Sequence, residues 1–321
     1  MNDNIDDVYA FMFADDVASV ADTKQNLQRQ INYIEQFCNV TGMKINVDKS
    51  KIMVFRRGGP LRSYEQWYFN GNQIEVVPYY KYLGAFFTPT LSWSKTQDTL
   101  RLQATKAVAS IYTFQKRFGY FHLKDAFKLF DSIVTPILCY SSEMWGYSHS
   151  ENIERVHSSF CKYIACLNRN VSNCFALSEC GRHPLNVIYM TRCIKYWTKL
   201  ISMPNHRYPK NCYMMLRDLD DAGKTTWATG VKQLLFEHGF GYAWVAGEVG
   251  NMTSFISMFK NRVKDCAIQK MQGFINSSPK ALHYRHFKSL LNPERYLSMD
   301  LPFVLKKSYS NFRCSSHALQ I

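Results

Sequence analysis

Val8-Tyr9-Ala10-Phe11-Met12-Phe13-Ala14-Asp15-Asp16-Val17-Ala18-Ser19-Val20-Ala21 sets two short apolar runs on either side of adjacent acids. The first run is β-branched and aromatic, and apolar character resumes at Val17. That pattern predicts a β-hairpin with Asp15 and Asp16 at its turn, since Asp populates turns readily. Two carboxylates side by side are costly to ionise unless a cation offsets their repulsion. A solvated turn is the alternative for an isolated Asp-Asp pair, so the surrounding sequence has to decide.

Downstream, Asp22–Thr23 can cap a helix in which Leu27, Ile31, Ile34, Phe37 and Cys38 recur at helical spacing until Gly42 closes it. Met43–Val47, a turn at Asp48–Ser50, and Lys51–Phe55 read as two further strand-like pieces, followed by an exposed basic loop at Arg56–Pro60. Asn70-Gly71 marks a hairpin, because this pair accepts the positive φ that tight β-turns require. Tyr79–Phe87 is another aromatic-rich strand candidate.

From Trp93 the period changes. Leu100, Ala104, Ala107, Ile111, Phe114 and Phe118 fit a long amphipathic helix, and Ala126–Leu138 a second one broken at Pro136. Ile153, Val156, Phe160, Tyr163, Ile164 and Leu167 form another stripe, followed by helices over Val187–Leu200, Thr229–Phe236 and Phe255–Ile275. The fold class expected is α+β: a strand-rich region at 1–90, a helical region at 91–203 and a helical C-terminal region at 204–321. Asn205–Lys210 and Asn276–Pro279 are the candidate boundaries.

Charge narrows the function classes. The 321 residues carry 39 Lys and Arg against 25 Asp and Glu, a net of +14, which favours a polyanionic partner. Residues 1–22 hold six aspartates and no Lys or Arg, so an acidic spot sits beside a basic body. The arrangement suits a divalent-metal site flanked by phosphate-binding surface, with an acidic, frayed terminus as the alternative. The ten cysteines contain no C-x-x-C pair, which argues against zinc and for free thiols in a reducing compartment. The acidic start lacks the pattern of a secretory leader, and the most apolar later run, Ile133–Tyr147, is too interrupted to span a membrane. The expected location is intracellular, nuclear or cytoplasmic, without secretion.

Phe13-Ala14-Asp15-Asp16 resembles the Y/F-x-D-D box of reverse transcriptases. Gly42-Met43-Lys44-Ile45-Asn46 with Lys49–Phe55 is similar to the next palm motif, and Tyr80-Lys81-Tyr82-Leu83-Gly84 to the primer grip after it. Order and spacing resemble the non-LTR (LINE-type) retrotransposon enzymes. The likeness continues through Pro136–Gly146, Ile153–His157 and Phe160–Lys162, then Glu179–Pro184 (ECGRHP) and Phe312–His317 (FRCSSH). It implies a partial polymerase palm (β-hairpin, helix, small antiparallel sheet) followed by a mainly α-helical thumb and C-terminal region.

For individual residues the resemblance implies that Asp15 and Asp16 are catalytic ligands of Mg2+, a hard cation that prefers oxygen donors. Lys49 would sit near the incoming triphosphate, with a surface lysine beside Asp48 as the alternative. Tyr82, Leu83 and Gly84 would hold the primer backbone, or form a buried strand end. Arg101, Lys106, Lys116, Arg117, Lys124 and Lys128, interleaved with Tyr112, Phe114 and Tyr120, could track RNA template and DNA primer, or form an ordinary amphipathic surface. In the family the earlier palm strand, with the other metal-binding aspartate, precedes the FADD box. Here only about a dozen residues do, and Asp3, Asp6 and Asp7 cannot take that role. The expectation is a fragment of an RNA-directed DNA polymerase, inactive alone. A non-catalytic, basic nucleic-acid-binding module derived from a retroelement is the alternative, and an unstable fragment with an unpaired sheet edge the third reading.

Overall fold

A computed structural model describes residues 10–56, 58–119, 122–281, 283–288 and 290–316. Asp3, Asp6, Asp7, Val8, Tyr9, Arg57, Tyr120 and His317 of the sequence reading lie outside the described residues. In chain order the first elements are β1 (Ala10–Phe13), β2 (Asp16–Ser19), α1 (Lys24–Thr41), β3 (Lys51–Ile52), β4 (Trp67–Phe69), β5 (Asn72–Val76), β6 (Tyr80–Tyr82) and β7 (Ala85–Phe87). After them the described chain is helical. The elements are α2 (Ser94–Phe118), α3 (Leu123–Leu129), α4 (Thr135–Leu138), α5 (Ser142–Trp145), α6 (Glu151–Ile164), α7 (Asn173–Glu179) and α8 (Asn186–Ile201). They continue with α9 (Tyr208–Asp221), α10 (Trp227–Glu237), α11 (Gly241–Ala246), α12 (Met252–Ser277), α13 (Tyr284–Phe287) and α14 (Phe303–Arg313). The α+β class holds. Two compact units divide the chain: residues up to 96 with Pro204–Met215, and residues 97–203 with those from Leu216 onward.

In the first unit, α1 starts where the Thr23 side chain accepts from the Asn26 N–H at 3.2 Å, and ends at Gly42, whose φ of 71° closes the last turn. Its buried face carries Ile31 and Cys38, with Leu27 and Ile34 partly covered, and packs on Ile52, Trp67, Phe69 and Ile74. Phe37, expected on that face, is exposed: it lies six positions beyond Ile31, on the far side of a 3.6-residue turn.

The sheet order is β3-β5-β4, with β3 parallel and β4 antiparallel to β5. Asn70 and Gly71, with φ of 47° and 73°, make the two-residue turn that sets the β4–β5 register of Phe69 opposite Asn72. The outer edge of β4 is covered by a side chain: the Gln28 amide donates to the Tyr68 carbonyl at 2.8 Å and accepts the Tyr68 N–H at 2.9 Å. Two expectations change here. Residues 43–46 form no strand, and 47–49 turn instead, drawn by the Asn46 side chain. Tyr79–Phe87 is a hairpin rather than one strand, because Leu83 and Gly84 take φ of 45° and 83° and reverse the chain.

In the second unit, α8 is the central helix, with α5, α10 and α12 packed on it. Trp197 of α8 is fully buried between Trp244 and Phe255, at ring-centroid distances of 6.3 and 6.2 Å. Along α2 the buried side chains are Leu100, Ala104, Val108, Ile111 and Gln115, whereas the expected Phe114 is exposed. Pro136 does not break the helix around it. Phe130–Val134 widens into a π-turn in which the Thr135 N–H reaches the Phe130 carbonyl. The wider turn absorbs the donor that proline lacks, so helical structure runs on to Leu138.

Glu154 of α6 fixes the start of α8: its carboxylate accepts the Leu185 and Asn186 N–H groups at 3.0 and 2.7 Å. Burial pushes this carboxyl up from its ordinary value, against the opposing pull of His157 and the two amides. A raised carboxyl stabilises the fold fully below its unfolded value, about 4.3, and that contribution is lost as pH rises through the folded value. Glu154→Gln is therefore expected to gain on the parent protein as pH rises above about 4.3 and through the raised folded value of this carboxyl. Urea unfolding across that range checks it, and a pH-independent difference would contradict it.

Candidate polymerase palm residues and the basic helix

The β1–β2 register, Phe13 opposite Asp16, leaves Ala14 and Asp15 as a two-residue turn. Ala14 has φ of 51° while Asp15 has an ordinary negative φ, so the first turn position carries the strain that glycine would avoid. Asp15 lies in the turn, while Asp16, expected there too, opens β2; both are exposed at the tip. Below it, the Ser19 hydroxyl and the Val20 carbonyl both bind the Gln30 side chain, the latter at 3.1 Å, which ties the hairpin to α1. Phe11 meets Tyr208 edge to face at 6.3 Å, within the same unit. Met12, Phe13 and Val17 remain exposed.

Lys49 lies in the turn after α1. Its N–H is held by the Asn46 backbone and side-chain oxygens at 3.2 and 3.1 Å. Its carbonyl accepts from the Tyr80 hydroxyl at 3.5 Å, so the Lys49 turn and the β6–β7 hairpin come together. Tyr82 is half-buried, with its ring 6.4 Å from that of Phe87, whereas Leu83 and Gly84 form the exposed tip. The hairpin is anchored at its other end: the Thr96 hydroxyl accepts from the Phe86 N–H at 2.9 Å and donates to the Phe86 carbonyl at 3.0 Å.

On α2, Lys106, Lys116 and Arg117 are exposed. Lys106 and Arg117 are eleven residues apart, so they fall on one face three turns apart. Arg101 is half-buried and turned toward Asp98 at 3.7 Å, an acid that also binds the Asn152 amide.

Asp15 and Asp16 offer the hard oxygen donors that Mg2+ prefers. They fit the ion chemically but not in number. Among the described residues no group of three or more His, Cys, Asp or Glu could hold a metal ion. Residues 1–87 match the family of reverse transcriptases (RNA-dependent DNA polymerases). Residues 1–87 are thus similar to reverse transcriptases. A transposon-derived protein of Caenorhabditis elegans, itself uncharacterized, is 26% identical over 155 residues, which is 46% of this chain and 53% of that protein. The chain spans about half the length of this curated relative. No solved structure matches.

Sequence reasoning assigned no role to the charged groups buried in the second unit. Glu179, which ends α7 and is fully buried, accepts from Arg313 Nε and Nη2 at 3.2 and 3.1 Å and from the Tyr296 hydroxyl at 2.6 Å. Arg313 also pairs with Glu294 at 2.9 Å, and Glu294 with buried Lys288 at 2.7 Å. Burial alone would lower the Arg313 guanidinium, yet Glu179 and Glu294 hold it above its ordinary value. ECGRHP and FRCSSH, more than a hundred residues apart, therefore meet through one ion pair. A glutamate ending the apolar stretch Phe175–Leu177 was the legible sign of it.

Proposed function

We propose that this chain carries the later palm motifs and the helical region of a non-LTR retrotransposon reverse transcriptase, an RNA-directed DNA polymerase, and that it does not polymerise by itself. The observation supporting this most directly is the exposed Asp15-Asp16 pair on a strained hairpin tip within residues 1–87. In this reading residues 1–90 are the partial palm, 91–203 the thumb-like region and 204–321 the C-terminal region. Asp15 and Asp16 would hold Mg2+ in an intact site, and the ion would supply activation of the primer 3′-hydroxyl and neutralisation of phosphate charge there. Lys49 lies beside the triphosphate, and Tyr82, Leu83 and Gly84 hold the primer. Arg101, Lys106, Lys116 and Arg117 follow the backbone of RNA template and DNA primer inside the cell. Among the described residues no third ligand joins the two acids, which would leave the metal's coordination short and supports inactivity.

Primer extension with the purified chain, an RNA template, a DNA primer and Mg2+ is expected to give no product. Incorporation that vanishes in Asp15→Ala would overturn the inactivity while supporting the site. The second reading, a binding module without chemistry, is favoured by the exposed Lys106, Lys116 and Arg117 on α2. It expects salt-dependent duplex binding that Asp15→Ala leaves alone. Lys116→Ala would lower the salt slope by about one. Binding indifferent to Lys106, Lys116 and Arg117 would remove these residues from either reading.

A further inference from the structure

The basic charge is concentrated in the second unit. Residues 97–203 and 216–321 hold 27 Lys and Arg against 15 Asp and Glu, a net of +12. Within it, residues 280–313 carry seven basic side chains and two acidic ones. The same stretch forms a cleft of about 440 Å3 whose walls include Phe287, Leu290, Tyr296, Met299 and Tyr309. Four of these five are exposed: Phe287 by 52%, Leu290 by 69%, Met299 by 54% and Tyr309 by 46%. Open aromatic and aliphatic surface on a strongly basic background calls for an occupant with both apolar faces and negative charge.

The rings are held in place. The Arg313 guanidinium lies 5.6 Å from the Phe287 and Tyr296 ring centres and 5.8 Å from that of Tyr309, and is itself fixed by Glu179 and Glu294. Tyr296 and Tyr309 meet edge to face at 4.8 Å, so they present differently oriented surfaces. Arg295 is exposed on the lining, and Lys307 is exposed on the adjoining helix α14. Lys288, by contrast, is committed to Glu294 and the Asn292 carbonyl.

We infer that this cleft is a single-stranded nucleic-acid site, in which Phe287 and Tyr309 stack unpaired bases while Arg295 and Lys307 meet the flanking phosphates. Bases supply apolar faces of any sequence, and phosphates supply the charge that an apolar peptide would lack. A duplex keeps its bases stacked internally and offers only the charge. The site uses none of the palm acids, so the outcome of the primer-extension assay does not bear on it.

The test uses the full chain and fluorescein-labelled oligo(dT) and oligo(U) of about a dozen nucleotides, with a duplex of equal length, followed by anisotropy. Phe287→Leu and Tyr309→Leu are each expected to weaken single-strand binding on the order of tenfold and to leave duplex binding unchanged. Arg295→Ala is expected to lower the salt slope by about one. Unaltered single-strand affinity in both leucine variants, with melting transitions like the parent's, would overturn the site. Should either variant fail to fold, photocrosslinking of a 5-iodouridine oligonucleotide to the unmodified protein decides. Adducts within residues 287–309 uphold the assignment, and adducts confined elsewhere refute it.

Discussion

Arg313→Ala is expected to destabilise the helical unit by about 3–5 kcal/mol, the usual cost of removing one partner from a buried ion pair. The substitution strands the fully buried Glu179 carboxylate without its two guanidinium hydrogen bonds, with the Tyr296 hydroxyl still donating to it but no cation of Arg313 opposite. It also unpairs Glu294 from one of two cations, and removes the cation shared by the rings of Phe287, Tyr296 and Tyr309. Arg313→Lys should recover little, since an ammonium cannot reproduce the two-pronged geometry. Replacing both partners, Glu179→Met with Arg313→Leu, should fall between parent and Arg313→Ala, because the uncompensated charge disappears. Urea unfolding followed by far-ultraviolet circular dichroism measures all three. A loss below about 1 kcal/mol for Arg313→Ala would mean the pair is effectively solvated.

Gly181→Ala is expected to cost a similar amount by a different route. Gly181 has φ of 64°, and a Cβ there would lie 2.3 Å from the Pro293 nitrogen, 2.5 Å from its Cδ and 2.7 Å from the Asn292 carbonyl carbon. Two of these atoms are backbone, so a side-chain rotation does not relieve the overlap. The left-handed conformation costs an L-residue about 1–2 kcal/mol and overpacking about 1–3 more. The displaced segment is the one that bridges Cys180 to Pro293 and brings Glu294 to Arg313. Gly223→Ala is the control: its φ is 76° with nothing within 4 Å of the added carbon, so it should show the backbone cost alone. Equal losses in the two variants would mean that the Pro293 contact yields without cost.

Local rules made much of the fold legible. The Thr23 cap, the Gly42 stop, the Asn70-Gly71 turn and the hairpin around Asp15 depend on neighbours a few residues away, and all lie where the sequence put them. Errors arose where one periodic pattern admitted two structures. Tyr79–Phe87 has the composition of a strand, but a pair of positive-φ residues folded it in two. The stripe on α2 contains more apolar residues than one face can hold, and packing covered Val108 and Gln115 while leaving Phe114 in solvent. Pro136 reads as a break in isolation, yet a single wide turn upstream accommodates it.

The candidate residues divide in the same way. That Asp15 and Asp16 lie together at one hairpin tip follows from the sequence alone, whereas the register decided that Asp15 is the turn residue and Asp16 opens β2. The approach of Lys49 to Tyr80, and the meeting of Glu179 with Arg313, were decided by tertiary structure. The first brings together groups 31 residues apart and the second groups 134 residues apart. Side-chain periodicity reports which face of an element is apolar but carries no information on which distant element will cover it. A buried charge is tolerable only where a particular partner waits, and that partner is specified by the packing of whole helices.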